Sequence, residues 1–171
     1  GSAVGERFAR LARLALEPIA DPSVDAALRE ALARVQGRSL VGVIQSLGVR
    51  KDAQAVEPLG KFLAAADPAV AQAAARALGS IGGAAVPTLE GALSIGSPAV
   101  QLAVCEGLFR SAEAMSDADA TVIYDKVRAV PNLPHQVRVA ALRGAIRSRG
   151  AKGVPLVAEA IRTESYVPAA A

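Results

Sequence analysis

Aromatic residues are scarce in this chain of 171 residues, which narrows the choice of fold and function. Tryptophan is absent, and the other aromatic residues are Tyr124, Tyr166, Phe8, Phe62 and Phe109. Alanine, with 39 residues, supplies much of the apolar content and favours helices over strands. Because 52% of the residues are hydrophobic, a disordered chain is excluded. We therefore expect an all-α fold.

Cysteine and histidine occur once each, which excludes several kinds of site. Cys105 cannot form a disulfide within the chain, and its apolar surroundings predict a buried thiol rather than a reactive one. His135 has no second histidine or cysteine with which to complete a tetrahedral zinc site, so we expect an exposed residue in the first turn of a helix. No base is placed to activate a serine or cysteine nucleophile. We predict no catalytic residue, no metal and no cofactor.

Long apolar runs are also missing. No stretch reaches the roughly 18 residues of a membrane-spanning helix, and the start of the chain lacks the charged and apolar regions of a signal peptide. Gly1-Ser2 is typical of a cloning scar (residues 1–2). We therefore interpret the chain as an expressed fragment or mature form of a larger protein, with no membrane span.

Acidic residues are absent from residues 126–158, which contain seven lysines and arginines. Residues 1–125 carry 11 basic and 14 acidic residues, so the net charge of +3 is unevenly placed. A block of one sign can attract an anionic partner, although a solvated surface is the more common reason for it. Both interpretations stay open at this point.

Internal repeats organise the chain. Leucines recur at 30 or 31 residue intervals, as Leu16, Leu47, Leu78 and Leu108. Start signals with a helix-capping residue before proline recur as Asp21-Pro22, Asp67-Pro68 and Ser97-Pro98. Apolar residues at i, i+3 and i+7 recur in four sets that begin at Val56, Val86, Ala120 and Val154. A repeat of this length with two helices is typical of an α-solenoid.

The pattern predicts a right-handed α-solenoid of about five antiparallel helix pairs. We expect these helix pairs at 4–16 and 22–35, 38–48 and 52–65, 68–80 and 84–95, 98–114 and 118–129, and 134–149 and 152–163. Residues 3–163 would form a single domain, and residues 164–171 a C-terminal tail. Alanine and glycine are expected where stacked helices meet.

The segment from Asp67 to Gly82, DPAVAQAAARALGSIG, resembles the first helix and turn of HEAT repeats, in particular the bacterial E-Z or bilin-lyase-like type. The resemblance implies an armadillo-like, non-catalytic scaffold that binds proteins or adjacent domains of its parent chain. The segment from Leu16 to Arg50 is similar to stretches of exported bacterial multi-domain proteins, which suggests an exported or periplasmic location. The first pair departs from the pattern at Asp25, where later pairs have valine or alanine.

In HEAT stacks the second helix of each pair lines the concave face. Residues on the second helices of the last two pairs therefore form one candidate partner-binding site. Its residues are Tyr124, Asp125, Arg128, Glu159 and Arg162. Tyrosine and arginine are common in the residues that dominate binding energy, so we expect a mixed-charge groove with one aromatic anchor. The alternative is a set of surface ion pairs that contribute little.

The second candidate is a basic face on the last pair. Its residues are Arg138, Arg143, Arg147, Arg149 and Lys152. Arg143 and Arg147 share one face of a first helix, so a nucleic acid or another polyanion is an alternative partner. No aromatic residue interleaves with these arginines to stack on bases, which disfavours nucleic acid. A third alternative, an accessory subunit of a bilin-lyase-like enzyme, rests on the resemblance alone.

Overall fold

The computed structural model describes residues 3–162, without the side chains of residues 3–6, 8 and 9. The predicted cloning scar, the predicted tail and Tyr166 lie outside the described residues. Within them the chain forms α-helices and short 3-10 segments and contains no strand. The prediction of an all-α solenoid is therefore confirmed.

The α-helices follow one another as five pairs. They are α1 (Ala3–Leu16) with α2 (Pro22–Ala31), α3 (Gly37–Val49) with α4 (Val56–Lys61), α5 (Pro68–Ile81) with α6 (Val86–Gly91), α7 (Pro98–Glu113) with α8 (Asp117–Arg128), and α9 (His135–Arg149) with α10 (Val154–Arg162). The 3-10 segments are Ala53–Ala55, Phe62–Ala64, Gly83–Ala85 and Gly150–Gly153.

Capping side chains start several of these helices at the predicted positions. The carboxylate of Asp21 accepts from the Ser23 amide at 2.8 Å, and that of Asp67 accepts from the Ala69 amide at 2.9 Å. Each satisfies one of the amides that a helix leaves unpaired at its start. At the other end of α5, Gly82 has a φ of 91°, a conformation that glycine adopts without strain.

The first helices of pairs two to four stack through small residues. A Cβ atom at Gly48 would lie 2.7 Å from the Cα of Ala77, and a Cβ at Gly79 would lie 2.4 Å from the Cα of Gly107. These distances leave no room for a side chain, so α3, α5 and α7 approach one another backbone to backbone. The predicted role of alanine and glycine at helix contacts is confirmed here.

The second helices of pairs two and three are shorter than predicted. Helices α4 and α6 have six residues each, and 3-10 turns precede both of them and follow α4. Their predicted apolar face is nevertheless buried, since Leu59 and Leu89 are fully enclosed. The sequence pattern located this face correctly but overestimated the length of regular α-helix.

Arg50 ties the first pair to the second. Its guanidinium forms an ion pair with Asp25 and donates to the carbonyl oxygens of Leu16 (3.1 Å), Glu17 (3.0 Å) and Ile19 (2.6 Å). The hydrogen bond from Arg50 is the main cause that holds the pKa of Asp25 below its ordinary value. Asp25, which departs from the repeat pattern, is thus the ion-pair partner of Arg50, whose side chain is buried.

The stacking of first helices is interrupted between pairs four and five. Helix α9 packs chiefly on α8 and only slightly on α7. The positions occupied by Gly48 and Gly79 in earlier pairs correspond to Phe109 in α7, because each directly follows the recurring leucine. A phenylalanine ring at this contact keeps α9 from approaching α7 as closely as the glycines allow in earlier pairs. An open cleft separates the two helices.

Helix α10 departs from the predicted packing. Its set of apolar residues at i, i+3 and i+7 was expected to be buried like the earlier sets, but Val154 is 64% exposed and Ile161 is 77% exposed. None of the residues of α10 is buried. In earlier pairs the following pair covers this face, as where Leu89 packs against Gly107 of α7.

Candidate partner-binding surfaces

Tyr124 does not face solvent, contrary to the prediction. Its side chain is only 4% exposed, and its ring lies 5.6 Å from that of Phe109 between centroids. A Cβ at Gly144 of α9 would lie 2.2 Å from the Tyr124 ring, so this glycine provides the space that the ring fills. Tyr124 therefore packs between α7 and α9, and the expectation of an exposed aromatic anchor on the second-helix face was wrong.

Asp125 and Arg128, the neighbours of Tyr124 in the first candidate site, belong to an ion-pair cluster. Arg128 bonds to Asp125 at 3.3 Å and approaches Glu159 at 3.8 Å, while Arg149 also pairs with Asp125. The cluster joins α8, α9 and α10 and brings together three of the five predicted residues. Because these charges satisfy one another, the cluster secures the last pair to α8.

Arg162 is the remaining residue of that site. It lies exposed in the last turn of α10, and the described residues provide no ion pair for it. Glu159 is also exposed. These two side chains are the part of the predicted site that faces solvent.

The cleft between α7 and α9, here called the α7/α9 cleft, has a volume of about 480 Å³. It is lined by Phe109, Tyr124, Val139, Ala140, Arg143 and Arg147, together with Glu113, His135, Gln136 and Gly144. Tyr124 and Gly144 are buried and form its floor, whereas Val139, Arg143 and Arg147 are exposed at its mouth. The volume is within the usual range of small-ligand pockets.

Arginines dominate the charge of this cleft. Arg143 and Arg147 are separated by one turn of α9, and neither has an ion pair among the described residues. Glu113 is the single acidic residue in the lining. At neutral pH the lining therefore has an excess of positive charge beside an apolar floor. Sequence reasoning identified these two arginines but missed Phe109, Val139, Ala140 and Gln136.

A family model described as HEAT repeats matches residues 38–108 and 56–123, which together span half of the chain. The chain belongs to the HEAT-repeat family. No curated protein matches it. The matched HEAT repeats run from α3 to α8, so they include Phe109 on one side of the cleft and end before α9 on the other.

The basic face of the last helix pair is less continuous than predicted. Arg149 is turned toward Asp125 and also donates to the carbonyl oxygen of Ala145 at 3.0 Å. Arg138 is half-buried, and its Nε atom has no hydrogen-bond partner. Lys152 is exposed. Of the five predicted residues, Arg143 and Arg147 line the cleft and the other three do not.

Cys105 and His135 do not form a reactive site. Burial is the main cause that raises the pKa of the Cys105 thiol to about 11, so the thiol stays protonated at neutral pH. His135 is exposed near the start of α9, as predicted. In the described part of the chain, no three histidine, cysteine or acidic residues are grouped so that they could hold a metal ion. From residue 3 to 162, no helix is long and apolar enough to span a membrane.

Proposed function

We propose that this protein is a non-catalytic HEAT-repeat scaffold that binds another protein or an adjacent domain of its parent chain. Membership of a family whose stacked helices present extended surfaces supports this proposal. The protonated, buried Cys105 and the lone His135 offer no positioned nucleophile and base for an enzymatic function. We further propose, from the resemblance of the segment from Asp67 to Gly82, that the repeats are of the bacterial E-Z type.

The α7/α9 cleft is the observation that carries the proposal. It is a place where the regular packing of first helices opens and leaves apolar and basic side chains together at the surface. Concave sites with an apolar floor and a few placed charges are typical of binding sites. The exposed residues Glu159 and Arg162 offer a second, more polar surface on α10.

Affinity purification from the protein's own cells tests the scaffold function. We would compare the wild type with Val139→Asp, which places a charge in the cleft, and with Val122→Asp, a matched control on the exposed side of α8. A specific partner should be retained by the control and lost by the cleft variant. Enrichment of no protein by the wild type, or equal retention by both variants, would contradict a scaffold that acts through this cleft.

Polyanion binding is the second candidate, because Arg143 and Arg147 have no ion pair among the described residues. A protein that contacts several phosphates loses affinity steeply between about 50 and 200 mM salt. Fluorescence anisotropy with a labelled 20-base-pair DNA duplex and with polyuridylate over this range measures the effect. Binding that is absent, or that does not depend on salt, excludes this candidate.

A further inference from the structure

We propose that the α7/α9 cleft binds an acidic protein segment in which carboxylates flank one bulky apolar side chain. The proposal rests on the scaffold function and adds to it the chemistry of the partner. The expected occupant is a protein segment. Binding of nucleic acid or of a small organic anion would be a competing outcome of the test.

The apolar part of the cleft sets the first requirement. The rings of Phe109 and Tyr124 pack against each other at a tilt of 32°, and Val139, which is 37% exposed, also lines the cleft. Tyr124 cannot move aside easily because its ring fills the space over Gly144. A volume of about 480 Å³ admits a large apolar side chain and part of its backbone but not a whole helix. Removing such a side chain and the exposed parts of Phe109 and Val139 from water favours binding, while the buried Tyr124 ring supports them from beneath.

Charge complementarity sets the second requirement. Arg143 and Arg147 are four residues apart on α9, which places their backbone attachment points about 6 Å apart along the helix. Neither guanidinium has a carboxylate partner among the described residues. An arginine forms its strongest hydrogen bonds with a carboxylate or phosphate. Two acidic side chains near the apolar anchor would therefore complete the site.

The start of α9 adds to the attraction for anions. Pro134 occupies its capping position and has no side-chain acceptor for the amides of His135 and Gln136, whereas the Val137 amide donates to the Pro134 carbonyl oxygen at 3.0 Å. His135 and Gln136, from that turn, are among the lining residues of the cleft. The positive end of the helix dipole therefore faces one end of the cleft, and Arg147, in the last turn of α9, lies at the other end.

Protein is favoured over nucleic acid by the same geometry. The Tyr124 ring is packed against Phe109 and Gly144, so it offers no free face on which a base can stack. Arg149, another member of the basic run, is occupied by Asp125. What remains is a short site with an apolar floor and two arginines that no carboxylate of residues 10–162 pairs with.

The probe is a fluorescein-labelled peptide with the sequence Gly-Ser-Asp-Glu-Phe-Glu-Asp-Ser-Gly. Fluorescence anisotropy measures its affinity for the wild-type protein at about 100 mM salt. Two matched peptides replace either the phenylalanine by alanine or the acids by their amides. We expect either replacement to weaken binding about tenfold, and the amides at Val139, Ala140 and Gly144 to shift in nitrogen–proton NMR spectra when the parent peptide is added.

Protein variants locate the contact. Arg143→Gln with Arg147→Gln should weaken the parent peptide about tenfold. The control is Lys152→Gln with Arg162→Gln, which removes the same charge from exposed positions outside the cleft. Circular dichroism establishes that both variants are folded. An equal loss with both variants would overturn the proposal in favour of diffuse attraction to the basic face.

Two results separate this proposal from the scaffold function. If none of the peptides binds, or if the amide peptide binds as well as the acidic one, the acidic partner is wrong. The Val139→Asp comparison with the native partner still tests the scaffold function independently. Benzoate and a single-stranded oligonucleotide serve as competitors. Displacement of the peptide by the oligonucleotide at lower concentration than by unlabelled peptide, or equally tight binding of benzoate, would also overturn the proposal.

Discussion

At the scale of single residues, Tyr124 shows how one side chain can shape a surface from beneath it. Its ring joins α8 to α7 and α9 and supports the floor of the α7/α9 cleft. Its importance therefore lies in packing, and its loss affects the stability of the fold as well as any binding in the cleft.

Replacing the ring tests this role. Tyr124→Ala should lower the free energy of unfolding by about 3 kcal/mol, because it leaves a cavity between three helices. Tyr124→Phe keeps the ring and should change stability by less than about 0.5 kcal/mol. Urea unfolding followed by circular dichroism measures both. Nearly wild-type stability of the alanine variant would contradict the buried position of the ring.

The ion pair of Asp25 with Arg50 predicts a dependence of stability on pH. The pKa of Asp25 is lowered in the folded protein, so its contribution is complete above the unfolded value near 4 and is lost as the pH falls through the lower folded value. We expect Asp25→Asn to lower the melting temperature at pH 7 and to differ much less from the wild type at pH 2.5.

A matched control for this experiment is Glu57→Gln. Glu57 pairs with Lys61 at 3.0 Å, but both side chains are largely exposed, so the pair should contribute little at either pH. Thermal unfolding monitored by circular dichroism compares the three proteins. An equal difference between wild type and Asp25→Asn at both pH values would show that the ion pair is not the cause.

The sequence was informative about some of these residues and misleading about others. The spacing of Ala120, Ile123 and Val127 correctly indicated a buried face on α8. Tyr124 occupies the i+4 position from Ala120, which in a globular helix usually belongs to the same apolar face, and this signal was available. The hydrogen bonds of Arg50 join positions that are 25 to 34 residues apart, so no local pattern indicates them.

At the scale of helices, the close contact between α5 and α7 depends on the absence of a side chain at Gly79. Its counterpart in α7 is Gly107, and the backbone of one helix lies where a Cβ of the other would be. By contrast, Gly91 in the short helix α6 has nothing within 4 Å of the position of a Cβ.

These two glycines predict opposite effects of the same substitution. Gly79→Ala should lower the free energy of unfolding by about 1–3 kcal/mol, because overpacking outweighs the higher helix propensity of alanine. Gly91→Ala should raise it by about 0.5 kcal/mol. Chemical denaturation measures both, and a stabilising effect at Gly79 would contradict the close helix contact.

The bounds of the first helix of each pair were predictable to within one residue because their signals are local, whereas α2, α4 and α6 each end four residues before the predicted bound. Proline begins α2, α5 and α7 where expected, with a side-chain cap from Asp21 and Asp67 but none from Ser97, and Gly82 ends α5. The sequence did not predict that α9 packs mainly on α8 and only slightly on α7. This packing depends on the bulk of Phe109 and on contacts between pairs, which the periodicity of each helix does not record.

At the scale of the whole molecule, stability should be distributed unevenly along the solenoid. Residues of α7 are buried by α5, α6 and α8, whereas α10 buries none of its residues and exposes Ile161. In repeat proteins each unit is stabilised by its neighbours, so the ends open more readily than the centre.

Hydrogen exchange tests this distribution. We expect the amides of α10 to exchange at least about tenfold faster than those in the centre of α7, as measured by mass spectrometry of peptic fragments. Equal protection of both helices would show that α10 is covered in solution. Repeating the measurement over a range of protein concentrations distinguishes coverage by a second copy, which depends on concentration, from coverage within one chain.

The replacement of a glycine by Phe109 at a stacking position has a thermodynamic consequence. A molecule in the α7/α9 cleft would touch both helices and supply contacts that the protein itself lacks there. Its affinity and the stability of the fifth pair are then linked quantities, because a ligand that binds only the folded form raises the free energy needed to open it. In this arrangement the partner fills the space between α7 and α9 and contacts both helices.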